Sequence, residues 1–189
     1  MNVKNIAIFA SGEGTNAQRI IDHFRNSSNI HTALIVSNKP GAKVLERAKK
    51  ENIPSLVLNR ADFYESDRTI RELRSRNIDL VVLAGFLWMI PGNLVAAFPD
   101  RIINIHPALL PKFGGKGMYG MNVHKAVLQA EEKESGISIH FVNEKYDEGK
   151  IISQHSCKVE KDDTPETLAE KIRRLEHEHF PKVIEKLLS

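Results

Sequence analysis

Apolar positions fall in short runs separated by longer amphipathic stretches. Strand-like segments run from Lys4 to Ala10, His31 to Val36, Ser55 to Leu58 and Asp79 to Ala84. Between them lie helix-like stretches through about Arg25, from Gly41 to about Glu51, and from Asp62 to about Arg76. Buried strands alternating with helices predict a parallel sheet covered on both faces, and right-handed crossovers put the carboxyl ends of its strands along one edge. Arg101 to His106 continues the series, and Pro107 ends it because proline has no donor for a central ladder. From Lys112 to Asn122 four glycines predict a mobile loop, after which His124 opens a helix to about Glu132. Gly136 to Val142 and Ile151 to Val159 follow with no helix between them, which predicts an antiparallel addition to the sheet. Thr164-Pro165-Glu166 then starts a helix to Leu188 with a bend near Pro181. The expected fold is α/β, a Rossmann-like, mostly parallel sheet with helices on both faces and an antiparallel C-terminal strand addition, all in one domain spanning 1–189.

Chemistry concentrates where Arg101 to His106 ends. Asn104 and His106 are two apart, so in a strand they share one face, and side chains at the carboxyl end of such a sheet line its ligand crevice. An amide donor can hold an oxyanion and an imidazole can move a proton near neutral pH, a pairing suited to attack on a carbonyl. The same two residues also suit a turn cap and a hydrogen-bonded histidine at a strand end. Asp147 is the carboxylate expected to pair with His106 and raise its pKa towards the protonated form, the alternative being a solvated turn aspartate.

Gly12, Glu13, Gly14, Thr15 and Asn16 link the first strand to the first helix. Glycines there let backbone N–H groups approach an anion at the positive end of a helix, so a phosphate is the expected guest. Gly12-x-Gly14-x-x-Ala17 also fits a dinucleotide fingerprint. That pattern needs an acid at the end of the second strand, where this chain has Ser37-Asn38-Lys39-Pro40, so a phosphate monoester fits better. Phe86, Leu87, Trp88, Met89 and Ile90 are unusually apolar for a loop after a strand. They suit the wall of a slot for a flat ligand, and equally the core under the next helix.

The overall balance narrows the partners. Twenty-seven basic against twenty-four acidic residues leave +3, without a basic stripe, which suits a small anion better than nucleic acid. The start carries no signal-like segment and no run is long enough to span a membrane, so a cytoplasmic protein is expected. One cysteine, Cys157, excludes an internal disulfide, and His177 and His179 diverge on a helix, so no metal site is expected.

Four motifs in order now carry a resemblance: Ser11 to Asn16, Ala84-Gly85-Phe86, Asn104 to Pro111, and Ser138 to Val142 with Asp147-Glu148-Gly149. Over nearly its whole length the chain resembles the folate-dependent phosphoribosylglycinamide formyltransferases. The resemblance implies transfer of a formyl group from 10-formyltetrahydrofolate to the amine of glycinamide ribonucleotide in de novo purine (IMP) biosynthesis. It implies catalytic roles for Asn104, His106 and Asp147, and phosphate binding by Gly12 to Asn16. Phe86 to Ile90, His140 and Val142 would lie along the folate, and Glu176 near the substrate amine. The implied enzyme needs no metal, binds neither nucleic acid nor membrane, and acts as a monomer or homodimer. Leu87-Trp88-Met89 departs from the family's common Met-Arg-Ile, and the Gly114 to Met121 loop is longer than usual. Related formyltransferases acting on methionyl-tRNA and formyltetrahydrofolate hydrolases share the triad, usually with an additional domain for which this chain leaves no room. A non-catalytic nucleotide-binding module is the alternative outside enzymes.

Overall fold

In a computed structural model, which describes residues 3–189, one seven-stranded sheet organises the chain in the order β3-β2-β1-β4-β5-β6-β7. Five parallel strands come first: β1 (Lys4–Phe9), β2 (Ile30–Ser37), β3 (Ser55–Val57), β4 (Ile78–Leu83) and β5 (Ile102–His106). The expected antiparallel addition is β6 (Glu134–Phe141) and β7 (Ile151–Lys158). The helices are α1 (Thr15–Phe24), α2 (Lys43–Lys50), α3 (Arg60–Tyr64), α4 (Arg68–Ser75), α5 (Gly92–Ala97), α6 (Met121–Gln129) and α7 (Pro165–Leu188).

The period-2 pattern of the strands explains two cores rather than one. In β1, Ile6 and Ile8 join one cluster while Ala7 and Phe9 join the other, as side chains alternate across a sheet. The first cluster takes in apolar faces of α1, α2, α6 and α7, and the second those of α3, α4 and α5. Covering both faces lets the central strands be apolar throughout, which is why they read as continuous hydrophobic runs.

Two boundaries differ from the sequence reading. The single helix expected over 62–76 is split into α3 and α4. Asn59 caps α3 by accepting from Asp62 N at 2.8 Å, and Ser66 Oγ donates to the Asp62 carbonyl at 3.0 Å while accepting from Arg68 N at 3.2 Å. That serine closes one helix and opens the next, a local competition with the backbone ladder that periodicity does not register. Helix α6 begins at Met121, so His124 falls within its first turn. Thr164 starts α7 as expected, exchanging hydrogen bonds with Thr167 in a capping box, and the helix continues past Pro181. Among the described residues no helix is long and apolar enough to cross a membrane.

Candidate active site

A cavity of about 680 Å³ opens at the carboxyl ends of β1, β4 and β5. The loops that follow these strands form three of its sides, and α6, α7 and the segment after β6 supply the rest. Gly12 to Asn16, Phe86 to Ile90, Asn104, His106, His140, Val142, Asp147 and Glu176 all line it.

The glycine loop is held from both sides. Ser11 Oγ donates to Asn38 Oδ1 at 2.6 Å and accepts from Leu87 N at 2.9 Å, tying the loop to the apolar segment after β4. Val44 N donates to the Gly12 carbonyl at 3.1 Å, and Arg47 Nε donates to the Glu13 carbonyl at 2.7 Å. Gly14 precedes α1 at φ +69°, and a Cβ there would lie 2.6 Å from Val44 Cγ2, so only glycine fits. No side chain caps α1, and the first-turn amides of any helix lack helical acceptors, which makes this helix start a place for an anion. Glu13 offers main chain only, since its carboxylate pairs outward with Lys43 at 2.9 Å.

The apolar segment after β4 divides between its two expected uses. Phe86 and Ile90 are buried in the second core, Phe86 edge-on to Phe9 at 5.3 Å. Leu87 is exposed at the cavity, and Trp88 packs its ring against Phe63 at 5.6 Å.

Asn104, His106 and Asp147 converge. His106 Nδ1 lies 3.5 Å from Asp147 Oδ2, and its Nε2 lies 2.7 Å from the carbonyl oxygen of Phe113. A carbonyl only accepts, so Nε2 carries a proton and donates. Nδ1 is then the nitrogen left for chemistry. His140, the cross-strand partner of Asn104, fixes its own tautomer in the same way, donating from Nδ1 to the Phe141 carbonyl at 2.8 Å. Its Nε2 accepts from Asn104 Nδ2 at 3.2 Å and sits 3.6 Å from Asp147 Oδ1. One hydrogen of the Asn104 amide is thus committed and the other is left to donate. His140 lines the cavity, but its ring serves Asn104.

The protonation of His106 is opposite to the sequence expectation. The residue is 4% exposed, and burial pushes its pKa below the ordinary value, outweighing the upward pull of Asp147 and the Phe113 carbonyl. At neutral pH the imidazole is neutral. Burial alone would raise the carboxyl pKa of Asp147, but the facing His140 and His106 rings and the Gly115 N–H together hold it below the ordinary value, so it is ionised. Gly115 N donates to Asp147 Oδ2 at 2.9 Å. The approach needs glycine next door, since a Cβ on Gly114 would meet Leu110 Cδ2 at 2.6 Å.

On the far side, Glu176 Oε2 accepts from Asn16 Nδ2 at 2.9 Å, and burial raises the Glu176 carboxyl pKa against that bond and the charge of Arg173. Arg173 and His124 line this part of the cavity and were not singled out from sequence. Arg173 lies one turn before Glu176 on α7, a spacing that was legible. The Phe113 and Gly115 contacts come from main chain, for which side-chain patterns give no signal. Among the described residues no group of three or more His, Cys, Asp or Glu is placed to hold a metal.

A formyl transferase family model matches residues 4–184. A chloroplastic phosphoribosylglycinamide formyltransferase of Arabidopsis thaliana is 45% identical over 187 residues, covering 96% of this chain and 64% of the plant protein. The chain thus spans less than two thirds of that relative. The phosphoribosylglycinamide formyltransferase of Bacillus subtilis (strain 168) is 38% identical over 193 residues, covering 98% of this chain and 95% of the bacterial one. A crystal structure of phosphoribosylglycinamide formyltransferase from Bacillus halodurans superposes with a TM-score of 0.88 at 40% identity, covering 98% of this chain and 96% of that one.

Proposed function

The chain belongs to the formyl transferase family, and from that membership we propose that it transfers the formyl group of 10-formyltetrahydrofolate to the amine of glycinamide ribonucleotide. The products are formylglycinamide ribonucleotide and tetrahydrofolate, within de novo purine biosynthesis. The observation that carries the reading is the Nδ1 of His106, 3.5 Å from the Asp147 carboxylate, in the same cavity as an uncapped helix start shaped for phosphate.

The ribonucleotide phosphate rests on the main chain of Gly12 to Asn16, with Arg173 as the nearby cation and Glu176 towards the substrate amine. The folate takes the side of Phe86 to Ile90 and Val142. The amine lone pair attacks the formyl carbon and the C=O electron pair moves onto oxygen. The free N–H of Asn104 donates to that oxyanion. The proton released by the attacking nitrogen passes to His106 Nδ1, and the ionised Asp147 stabilises the imidazolium so formed. As the carbonyl reforms, the bond to N10 of the folate breaks and that nitrogen takes the proton. A base must rest neutral to accept that proton, and burial, by lowering the imidazole pKa, keeps His106 in that form.

The proposal treats residues 1–189 as one formyltransferase domain that needs no metal. It acts as a monomer or homodimer on two small molecules in the cytoplasm, without a nucleic-acid or membrane partner. The test follows formyl loss from 10-formyltetrahydrofolate with and without glycinamide ribonucleotide. Turnover only with the ribonucleotide is the expected result. Formate release without an acceptor indicates a hydrolase, and no turnover in either arm overturns the reading.

A further inference from the structure

Arg47, in the last turn of α2, forms no ion pair among the described residues, although Glu51 follows it by one helical turn. Glu51 pairs instead with Arg25 at 2.7 Å, and Glu13 with Lys43 at 2.9 Å. The Arg47 guanidinium serves two neutral oxygens. Its Nε donates to the Glu13 carbonyl at 2.7 Å and its Nη1 to Gln18 Oε1, in α1, at 3.4 Å. Gln18 is held in turn through its Nε2, which donates to Glu51 Oε1 at 3.0 Å and to Asp22 Oδ1 at 3.1 Å. One half-buried arginine thus ties the glycine loop to the helix that follows it.

The direction of the loop carbonyls decides what this tie does. The Gly12 carbonyl accepts from Val44 N at 3.1 Å, so α2 takes two successive carbonyls of the loop. Both peptides are trans, and in a trans peptide the N–H points opposite to the C=O. The Glu13 and Gly14 N–H groups therefore face away from α2. No residue of α2 lines the cavity, whereas Gly12 to Asn16 do, so the two donors face the cavity side. Neither has an acceptor among the described residues. Gly14, at φ +69°, is free to populate both signs of φ, so the Glu13–Gly14 peptide needs an external hold. A flipped peptide would aim a carbonyl oxygen at the anion in place of a donor.

We infer that Arg47 is a positioning residue that locks the Glu13–Gly14 peptide in the orientation that receives a phosphate monoester. The inference rests on the phosphate reading of the loop above. Arg47 is outside the cavity lining and acts through the main chain, so its loss weakens one ligand and spares the other. General loosening would weaken both, because Ser11 ties the same loop to Leu87 on the folate side.

The experiment titrates glycinamide ribonucleotide and, separately, 5-formyltetrahydrofolate into the wild-type protein, Arg47→Met and Arg47→Lys by calorimetry, with circular dichroism to check folding. Arg47→Met is expected to lose about tenfold in ribonucleotide affinity, the scale of one charge-assisted hydrogen bond, with folate affinity unchanged. In steady state the Michaelis constant for the ribonucleotide rises by the same factor while kcat stays within about twofold. Arg47→Lys keeps the charge, lacks the planar donor and recovers only part of the affinity. A wild type that does not bind the ribonucleotide, an unchanged affinity in Arg47→Met, parallel losses for both ligands, or full recovery in Arg47→Lys overturns the inference. Ribonucleotide binding that depends on Arg47 in a protein that transfers no formyl group upholds this role and sinks the proposed reaction. Formyl transfer with unchanged ribonucleotide affinity in Arg47→Met does the reverse, so the two failures are distinguishable.

Discussion

The Nε2 of His106 lies 2.7 Å from the main-chain carbonyl oxygen of Phe113, so the segment that follows the strand fixes the tautomer of the imidazole. Asp147, at 3.5 Å from Nδ1, then faces the working nitrogen and acts on its charged state. The division of labour assigns the carbonyl to orientation and the carboxylate to electrostatics.

Loss of the imidazole removes proton transfer but leaves the cavity. His106→Ala is expected to lower turnover by about 10²–10⁴, and Asn104→Ala by about 10²–10³ through loss of one oxyanion donor. Steady-state kinetics with circular dichroism check both. A rate within threefold of wild type in a folded variant removes that residue from the mechanism.

Acid inhibition should report His106 directly. Its neutral form is the active one and its pKa is lowered from 6.5, so kcat falls only below the ordinary histidine range. Asp147 pulls that pKa upward, so Asp147→Asn should move the acid limb of the pH profile to still lower pH while reducing the plateau. A limb that shifts to higher pH contradicts the assignment.

Stability should lose ground over a neighbouring window. His106 and His124 are both depressed from 6.5 by burial. The unfolded chain therefore takes up protons first, and stability present above 6.5 is lost as pH falls through the folded values. Asp147, depressed from 3.8, contributes stability that is lost at lower pH, as its carboxylate protonates. Melting temperatures measured from pH 8 to 5 should fall, and more shallowly in His124→Gln. An equal slope in that variant means His124 does not titrate in this window.

The succession of strands and helices and the glycine loop were legible because both rest on patterns a sequence displays, continuous apolar runs and the Gly12-x-Gly14 spacing. The alternation of Ile6 and Ile8 against Ala7 and Phe9 was also there to read as two cores. The split at Ser66 was not, because a side chain competing for backbone bonds leaves the helical period intact. The sign of the His106 shift was missed for a different reason. A facing aspartate can be guessed from sequence, but the burial that outweighs it depends on how Phe113 and Gly115 close over the pair. Likewise Asn104 and His140 become partners only through the β5–β6 register.

Gly14 offers a test of the loop that does not need substrate. Its φ is +69° and an added Cβ would lie 2.6 Å from Val44 Cγ2. Gly14→Ala is expected to cost about 2–5 kcal/mol, combining left-handed strain with overpacking. Adding Val44→Ala should recover only part, since it relieves the overlap and leaves the strain. Full recovery in chemical denaturation would show that the conformation itself costs little.

Glu176 gives the opposite pattern, stability unharmed and binding impaired. Burial is the largest influence on its carboxyl and pushes the pKa above 4.5, against the Asn16 hydrogen bond and the Arg173 charge. Glu176→Gln keeps an oxygen for Asn16 Nδ2, which donates at 2.9 Å, and removes the charge that burial penalises. The melting temperature should therefore hold or rise. If the carboxylate receives the substrate, the Michaelis constant for glycinamide ribonucleotide should rise about tenfold or more, the scale of a lost hydrogen bond to a charged group. Glu176→Ala should lower stability as well, because the Asn16 amide then loses its partner. A destabilised Glu176→Gln with an unchanged Michaelis constant would make Glu176 a structural anchor for Asn16 and remove it from substrate binding.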